Sequence, residues 1–167
     1  MRRSTALMSL AAVAVMASNA FAQAKPNFAG TWNMVQDPAQ QQAAAPGGRG
    51  GARGGLGATF TATQDDKTLT ITRTMGENTV NSVYNLDGSD SKNTVQGRGG
   101  AMEVVSKAKF DGNALVISTT RDMNGTAVTT TQKLWIENGD LVVETTQPNF
   151  QDPSAAPTVR KATYKKG

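Results

Sequence analysis

The chain has 167 residues with a formal net charge of +4, and it contains neither cysteine nor histidine. Without cysteine it can form no disulfide, thiolate metal site or thiol nucleophile. Without histidine it lacks the commonest general base and the commonest transition-metal ligand. Ser-His-Asp and Cys-His catalysis are therefore excluded, and the composition predicts a protein that is not an enzyme and that has no cofactor and no metal site.

The first 22 residues have the layout of a targeting segment. Arg2 and Arg3 precede an apolar run from Ala6 to Ala17, and Ala20-Phe21-Ala22 forms a small-residue cleavage site. The apolar run is shorter than the roughly 20 residues that cross a bilayer. The sequence therefore predicts a cleaved signal peptide at residues 1–22, with the Sec and twin-arginine routes both open. The product is expected in the periplasm or outside the cell, without a membrane span.

Removal of the signal peptide leaves 145 of the 167 residues, a length suited to one domain at residues 23–167. The signal peptide holds two of the 17 basic residues and no acidic residue, so the net charge falls from +4 to +2. A nearly balanced charge gives no reason to expect nucleic acid as a partner. We expect a monomeric domain.

After the signal peptide the hydrophobic pattern is that of β-strands, with Thr, Val and Ile abundant and turns every 8–12 residues. Residues 87–100 are turn-rich and are expected to form a loop, with at most a short strand at Asn93–Gln96. Sequential hairpins without a long crossover favour a meander, and closure of a meander removes its exposed edges. The fold class is therefore predicted to be all-β: a single up-and-down antiparallel β-barrel of about eight strands. The candidate strands are Gly30–Val35, Thr59–Gln64, Thr68–Met75, Thr79–Leu86, Ala101–Phe110, Ala114–Asp122, Thr126–Glu137, Leu141–Gln147 and Thr158–Tyr164.

Three hairpin turns fix the register of their strands. Asn138-Gly139 is a favoured two-residue turn that pairs Ile136 with Leu141 and Leu134 with Val143, so that all four apolar side chains share one face. The turn at residues 111–113 brings Phe110 opposite Leu115 in the same way, and residues 64–69 repeat the layout.

One low-complexity segment, residues 37–57, interrupts the β pattern between the first two strands. Gly, Gln, Ala and Pro dominate it, and it shows no apolar periodicity. Such a segment buries too little surface to offset its ordering entropy, which predicts a long flexible loop within the domain. Arg49 and Arg53 lie among its glycines; a solvated insertion and an RNA-binding tract are the two readings, and the absence of interleaved aromatic residues favours the first.

Several short motifs resemble those of lipocalin-like (calycin-type) small secreted bacterial β-barrel proteins. They are Asn-Phe-Ala-Gly-Thr-Trp at residues 27–32, Leu-Thr-Ile-Thr-Arg at 69–73, Tyr-Asn-Leu-Asp-Gly at 84–88 and Phe-Asp-Gly-Asn-x-Leu-Val-Ile at 110–117. The resemblance covers most of residues 27–165. The cysteine pairs and the C-terminal helix of typical lipocalins are absent from the pattern.

The resemblance implies a structural role for the Gly-x-Trp motif at the closed end of the barrel. There Gly30 and Trp32 would close the lumen, with Trp32 packed against a basic residue of the last strand. The matching basic residue is Arg160, and a guanidinium stacked on an indole is physically reasonable.

The candidate ligand-binding residues are Arg73, Tyr84 and Arg121. Both arginines continue an inward apolar alternation, which would direct them to the mouth of the lumen. They could bind a carboxylate while Tyr84 and the apolar wall hold its tail. The other reading is that the strand ends twist and both arginines reach solvent or nearby aspartates.

The sequence and the resemblance together predict a secreted or periplasmic lipocalin-like protein. Its expected partner is a small hydrophobic or amphipathic ligand bound in the barrel lumen. The alternative is a non-enzymatic envelope protein-interaction module whose barrel is closed.

Overall fold

The structure is a computed structural model, and it describes residues 25–35, 55–75, 77–97, 100–123, 125–149 and 155–167. The predicted signal peptide at residues 1–22 lies outside the described residues. So do residues 37–54 of the predicted glycine-rich loop.

The described residues form ten β-strands and no helix. All ten belong to one sheet, in which every strand runs antiparallel to its neighbours. The strands are β1 (Gly30–Met34), β2 (Thr59–Gln64), β3 (Thr68–Met75), β4 (Asn78–Asn85), β5 (Asp87–Gly97), β6 (Gly100–Asp111), β7 (Ala114–Met123), β8 (Thr126–Glu137), β9 (Asp140–Gln147) and β10 (Thr158–Lys166).

The strand order is β4-β3-β2-β1-β10-β9-β8-β7-β6-β5, so strands that are consecutive in the chain pair with each other except β4 and β5, which end the order, and β1 also pairs with β10. The predicted all-β meander is confirmed, and it forms a nearly closed antiparallel barrel. The predicted number of about eight strands is wrong, because the barrel has ten.

The principal error concerns β5, which runs through the segment expected to be a loop. Its buried positions include Ser91 and Asn93, which are polar. A strand whose interior face is polar shows no alternation of apolar and polar residues. That alternation is the signal by which strands are recognised in a sequence.

We divide the barrel along its axis into a lower half and an upper half. The lower half contains the beginning of β1 and the β2–β3, β6–β7 and β8–β9 turns. The upper half contains the β3–β4 and β7–β8 turns and both ends of the connection between Met34 and Thr59. The glycine-rich segment therefore leaves the barrel and returns to it at the upper end.

The lower half is filled by one apolar core. Leu69, Leu115, Leu134, Leu141 and Val143 are almost wholly inaccessible to solvent, and they come from four different strands. Alternation along each strand directs these side chains inward, where burial of apolar surface contributes roughly 25 cal/mol per Å².

The hairpin registers expected from the sequence are confirmed. Ile136 pairs with Leu141 across the Asn138-Gly139 turn, and both turn residues have the positive φ angles, 54° and 88°, that such a turn requires. In the first hairpin, Gln64 pairs with Leu69. The Asp65 carboxylate accepts hydrogen bonds from backbone N–H groups at the tip, which lowers the pKa of that carboxyl.

Side chains bridge the seam between β4 and β5, where the sheet ends meet. The Asn93 side chain accepts a hydrogen bond from the Val83 amide at 2.7 Å and donates one to the Val83 carbonyl at 2.9 Å. The Ser91 hydroxyl accepts one from the Asn85 amide at 2.8 Å. The polar interior of β5 thus takes the place of a backbone ladder and covers an edge that would otherwise be exposed.

We predict that Asn93→Ala weakens this seam. Both hydrogen bonds to Val83 are lost, which should lower the free energy of unfolding by about 1–2 kcal/mol. Hydrogen exchange of the Val83 amide should become faster, whereas Thr94→Ala, at an exposed position of the same strand, should leave it unchanged. Exchange at the unaltered rate in Asn93→Ala would show that the seam is held in another way.

Candidate functional site

The inward-facing side chains change from buried to half-buried along the barrel. On β7, Leu115 and Ile117 are 0% exposed, whereas Thr119 and Arg121 are half-buried. On β8 the same change separates Leu134 from Val128. On these two strands the inward-facing side chains are therefore buried in the lower half and half-buried in the upper half, whereas on β6 Val104 and Ser106 are buried, at 3% and 1% exposure. We call this packed core the floor, the barrel interior above it the lumen, and the upper end of the lumen its mouth.

The wall of the upper half is mixed in character. Valines alternate around it with hydroxyl and amide side chains, so a bound molecule would meet both apolar surface and hydrogen-bonding groups. The valines at inward-facing positions are Val80, Val104 and Val128, and the polar residues are Ser106, Thr119, Thr130, Gln132, Thr145 and Gln147.

Arg73 lies on this wall, above Leu69 and Ile71 on the inward face of β3. Its side chain is half-buried, and one terminal nitrogen contacts the Ser82 hydroxyl at 3.5 Å. Its Nε atom is buried and has no hydrogen-bond partner among the described residues. A buried donor without an acceptor is costly, and a bound anion would satisfy it.

Tyr84 lies deeper than Arg73, opposite Leu69, and belongs to the floor. Burial raises the pKa of the Tyr84 hydroxyl, while the Ser82 hydroxyl and the charge of Arg73 act in the opposite direction. The structure thus brings Arg73 and Tyr84 together, as the sequence suggested.

Tyr164, on β10, completes this group and was not singled out from the sequence. Its ring is fully buried and packs edge-on against Phe60, with 5.2 Å between ring centroids. The Tyr164 hydroxyl lies near the Leu56 backbone without forming a hydrogen bond of good geometry. Burial raises its pKa to about 12, and the Leu56 backbone and the Arg73 charge oppose that shift. In the sequence, only the two-residue spacing between Ala162 and Tyr164 on β10 indicates that Tyr164 faces inward.

We predict that the protein loses stability as the pH rises from about 10 to about 12. The ordinary pKa of tyrosine is about 10, and the folded state raises it, so the contribution to stability is complete below pH 10 and disappears as the pH passes the folded value. The loss attributable to Tyr164 should be about 2–3 kcal/mol. Urea unfolding at several pH values should show a weaker dependence in Tyr164→Phe.

Absorbance at 295 nm checks the same prediction, because Tyr84 and Tyr164 are the only tyrosines in the sequence. Both should ionise above pH 10. Ionisation of both at pH 10 in the folded protein would contradict the burial of these hydroxyl groups.

Arg121 occupies the inward phase near the upper end of β7, where it pairs with Val128. Its side chain is half-buried with a buried Nε atom. Arg121 thus lies at an inward-phase position of the upper half. β3 and β7 are not neighbours in the sheet, so Arg73 and Arg121 lie on different parts of the wall.

The lower end is closed by Trp32 and the residues that precede β1. Trp32 is 2% exposed, and its indole N–H donates a hydrogen bond to the Phe28 carbonyl at 2.8 Å. Phe28 stacks on Phe110, and the Phe28 backbone N–H donates a hydrogen bond to the Gln64 side-chain oxygen at 2.9 Å. Gly30, with φ 139°, begins β1 at this end in a conformation that favours glycine.

The cation over Trp32 is not the one implied by the resemblance. Lys166 is paired with Trp32 and places its Nζ atom 5.9 Å from the ring centroid. Arg160 is exposed and pairs with Thr145, six residues up the strand from Lys166. The antiparallel pairing of β1 with β10 sets this register and moves Arg160 to the upper half. There, among the described inward-phase positions, the charged residues are Arg73, Arg121 and Arg160.

The end of the glycine-rich segment packs into the apolar core. Leu56 is 2% exposed and belongs to the apolar core. The described part of the predicted flexible loop is therefore anchored, because one leucine within a low-complexity segment is enough to bury an anchor point.

Comparison with solved structures identifies the fold. Zebrafish ileal bile acid-binding protein, in complex with cholic acid, aligns with a TM-score of 0.54 and 20% identity over 84% of this chain and 98% of that chain. The REP1-NXSQ fatty acid transporter aligns with a TM-score of 0.51 and 14% identity over 83% of this chain and 95% of that chain. The likeness shows that this chain shares the β-barrel fold of these proteins.

No protein-family model matches the chain, and a search of curated proteins finds no match either. The described residues include no helix long and apolar enough to cross a membrane. They also bring together no group of three acidic side chains that could hold a metal ion.

Proposed function

We propose that this chain is a secreted or periplasmic lipocalin-like carrier, not an enzyme, that binds one small amphipathic anion in the upper half of its lumen. The observation that carries the proposal is the buried Nε of Arg73, which has no hydrogen-bond partner among the described residues. A carboxylate or sulfonate would supply the missing acceptor and neutralise the guanidinium.

The electrostatics of the mouth support an anionic ligand. Arg73, Arg121 and Arg160 share the inward phase of the upper half, and the described positions of that phase include no acidic residue. The concentration of positive charge in a partly desolvated lumen would attract an anion and would repel a cation.

The wall and floor support an amphipathic ligand. Valines offer apolar contact, while hydroxyl and amide groups such as Thr119 and Gln132 can bind polar substituents. The bile acid-binding protein with the same fold is complexed with cholic acid, and the other fold neighbour is a fatty acid transporter. A hydroxylated amphipathic carboxylate of this kind suits the mixed wall.

Isothermal titration of residues 23–167 with cholic acid and with dodecanoate tests the proposal. We expect saturable one-to-one binding of at least one carboxylate, about tenfold or more tighter than that of dodecanol, since the alcohol cannot pair with an arginine. Failure of both carboxylates to bind, or equal binding of the alcohol, would contradict an anion-binding lumen.

The packed lower half favours a second candidate function. Trp32, Phe60 and Leu134 fill the barrel interior at that end, leaving only the upper half for a ligand. In this function the barrel is closed, and the protein acts as an envelope protein-interaction module. A protein that binds neither carboxylate would fit this function.

A further inference from the structure

A second concavity, separate from the lumen, lies on the outer wall of the barrel. It has a volume of about 360 Å³ and lies near the lower ends of β7, β8 and β9. Its lining consists of one aromatic residue, one alanine and four polar residues: Trp135, Ala114, Asp111, Asn113, Lys133 and Glu144.

Trp135 forms the apolar surface of this concavity. It faces outward from β8 between Ala114 and Val142, its cross-strand partners, and it is half-buried. Ala114 is small, which leaves room beside the indole. Lys161 reaches the ring from β10, with Nζ 5.2 Å from the centroid, and does not line the concavity.

The four polar side chains around Trp135 have unused hydrogen-bonding capacity. Within the described residues, Asp111, Asn113, Lys133 and Glu144 make no side-chain hydrogen bond or ion pair, although Lys133 and Glu144 pair directly across β8 and β9. Together they provide carboxylate acceptors, an ammonium donor and an amide that does both.

Charges of both signs line the concavity. Asp111 and Glu144 are negative and Lys133 is positive, while Lys161 outside it pairs with Glu137 at 3.9 Å. A strongly anionic ligand would meet two carboxylates, and a strongly cationic ligand would meet the Lys133 ammonium group. The site therefore suits a neutral ligand that both donates and accepts hydrogen bonds.

We propose that this outer-wall concavity binds a neutral saccharide, with one sugar ring on the Trp135 indole. A sugar ring has an apolar face of C–H groups that can cover an aromatic ring, and vicinal hydroxyls that both donate and accept. Trp135 supplies the platform, and Asp111, Asn113, Lys133 and Glu144 supply the partners. The inference does not depend on ligand binding in the lumen.

The test is titration of the full domain with three neutral trisaccharides: maltotriose, cellotriose and triacetylchitotriose. Tryptophan fluorescence and calorimetry should detect binding of at least one, with a dissociation constant below about 10 mM. Trp135→Leu should weaken binding by about tenfold or more, and Trp135→Phe should retain most of it because it keeps an aromatic face. Trp32 is buried, so the fluorescence change should be absent in Trp135→Phe.

A double variant, Asp111→Asn with Glu144→Gln, keeps the shapes of both side chains. It therefore tests the proposal even if Trp135→Leu fails to fold. It should weaken the same saccharide by about tenfold, since two charge-assisted hydrogen bonds are replaced by neutral ones. Lys92→Ala, on an exposed part of β5 away from the concavity, should not alter binding. The proposal is overturned if no trisaccharide binds, or if binding is unchanged in both Trp135→Leu and the double variant.

Discussion

Leu115→Ala is expected to lower the free energy of unfolding by about 3 kcal/mol. Leu115 is 0% exposed and lies on the floor between Phe110 and Leu134, its partners on β6 and β8. Truncation removes its buried methyl groups and leaves a cavity that strands paired on both sides cannot readily close. Urea unfolding followed by tryptophan fluorescence measures the change, because buried Trp32 reports on the same core.

Val159→Ala is the matched control for this substitution. Val159 is 58% exposed, so its truncation should alter the free energy of unfolding by less than about 0.5 kcal/mol. Equal effects of the two substitutions would contradict a packed floor. Under the proposed function, a packed floor would confine a ligand to the upper half of the lumen.

The double variant Arg73→Met with Arg121→Met is expected to weaken carboxylate binding by about a hundredfold or more. Each guanidinium can form a charge-assisted hydrogen bond with the ligand, and loss of such bonds costs about 1.5–3 kcal/mol each. Methionine keeps an unbranched side chain of similar reach, so the apolar packing of the wall is retained as far as possible. Calorimetric titration with cholic acid or dodecanoate measures the loss.

Lys92→Met removes a positive charge without touching the lumen, because Lys92 is exposed and pairs with Glu103 on the outside. It should leave carboxylate affinity within about twofold, which separates a local effect from a change in net charge. Should the double variant bind the carboxylate as tightly as the unaltered protein, both arginines would have only a solvent-facing role. Binding of the alcohol should be unchanged in every variant.

Turn chemistry and alternation made most of the fold predictable. Asn138-Gly139 requires positive φ angles and determines which residues pair, and the pairing of Ile136 with Leu141 agrees with the apolar pattern. The same agreement at Phe110 and Leu115 identified a second hairpin. These local signals are reliable because the two strands of each hairpin pair with each other in the barrel.

The β5 strand was missed because its role depends on a partner that the sequence does not identify. Asn93 and Ser91 read as turn residues, since their side chains compete locally for backbone groups. In the barrel they bond instead to the backbone of β4 and bridge the seam. Only the closed arrangement of all ten strands gives those polar side chains an inward position.

The positions of the candidate site residues were likewise predictable only in part. Arg73 and Arg121 could be placed because alternation along a single strand fixes their phase. The position of Arg160 along the barrel axis could not be predicted, since it depends on how β10 pairs with β1 and β9. Tyr164 and Lys166 acquire their contacts through the same pairing, so neither contact could be derived from spacing alone.

The central claim, that the upper half of the lumen holds an amphipathic anion beside Arg73 and Arg121, is tested most directly by native mass spectrometry of the protein purified from the cells that produce it. The predicted result is a bound small molecule that carries an acidic group, is released on unfolding, and is absent from the double variant Arg73→Met with Arg121→Met. A native mass equal to that of the polypeptide alone, or the same adduct on the double variant, would contradict the claim.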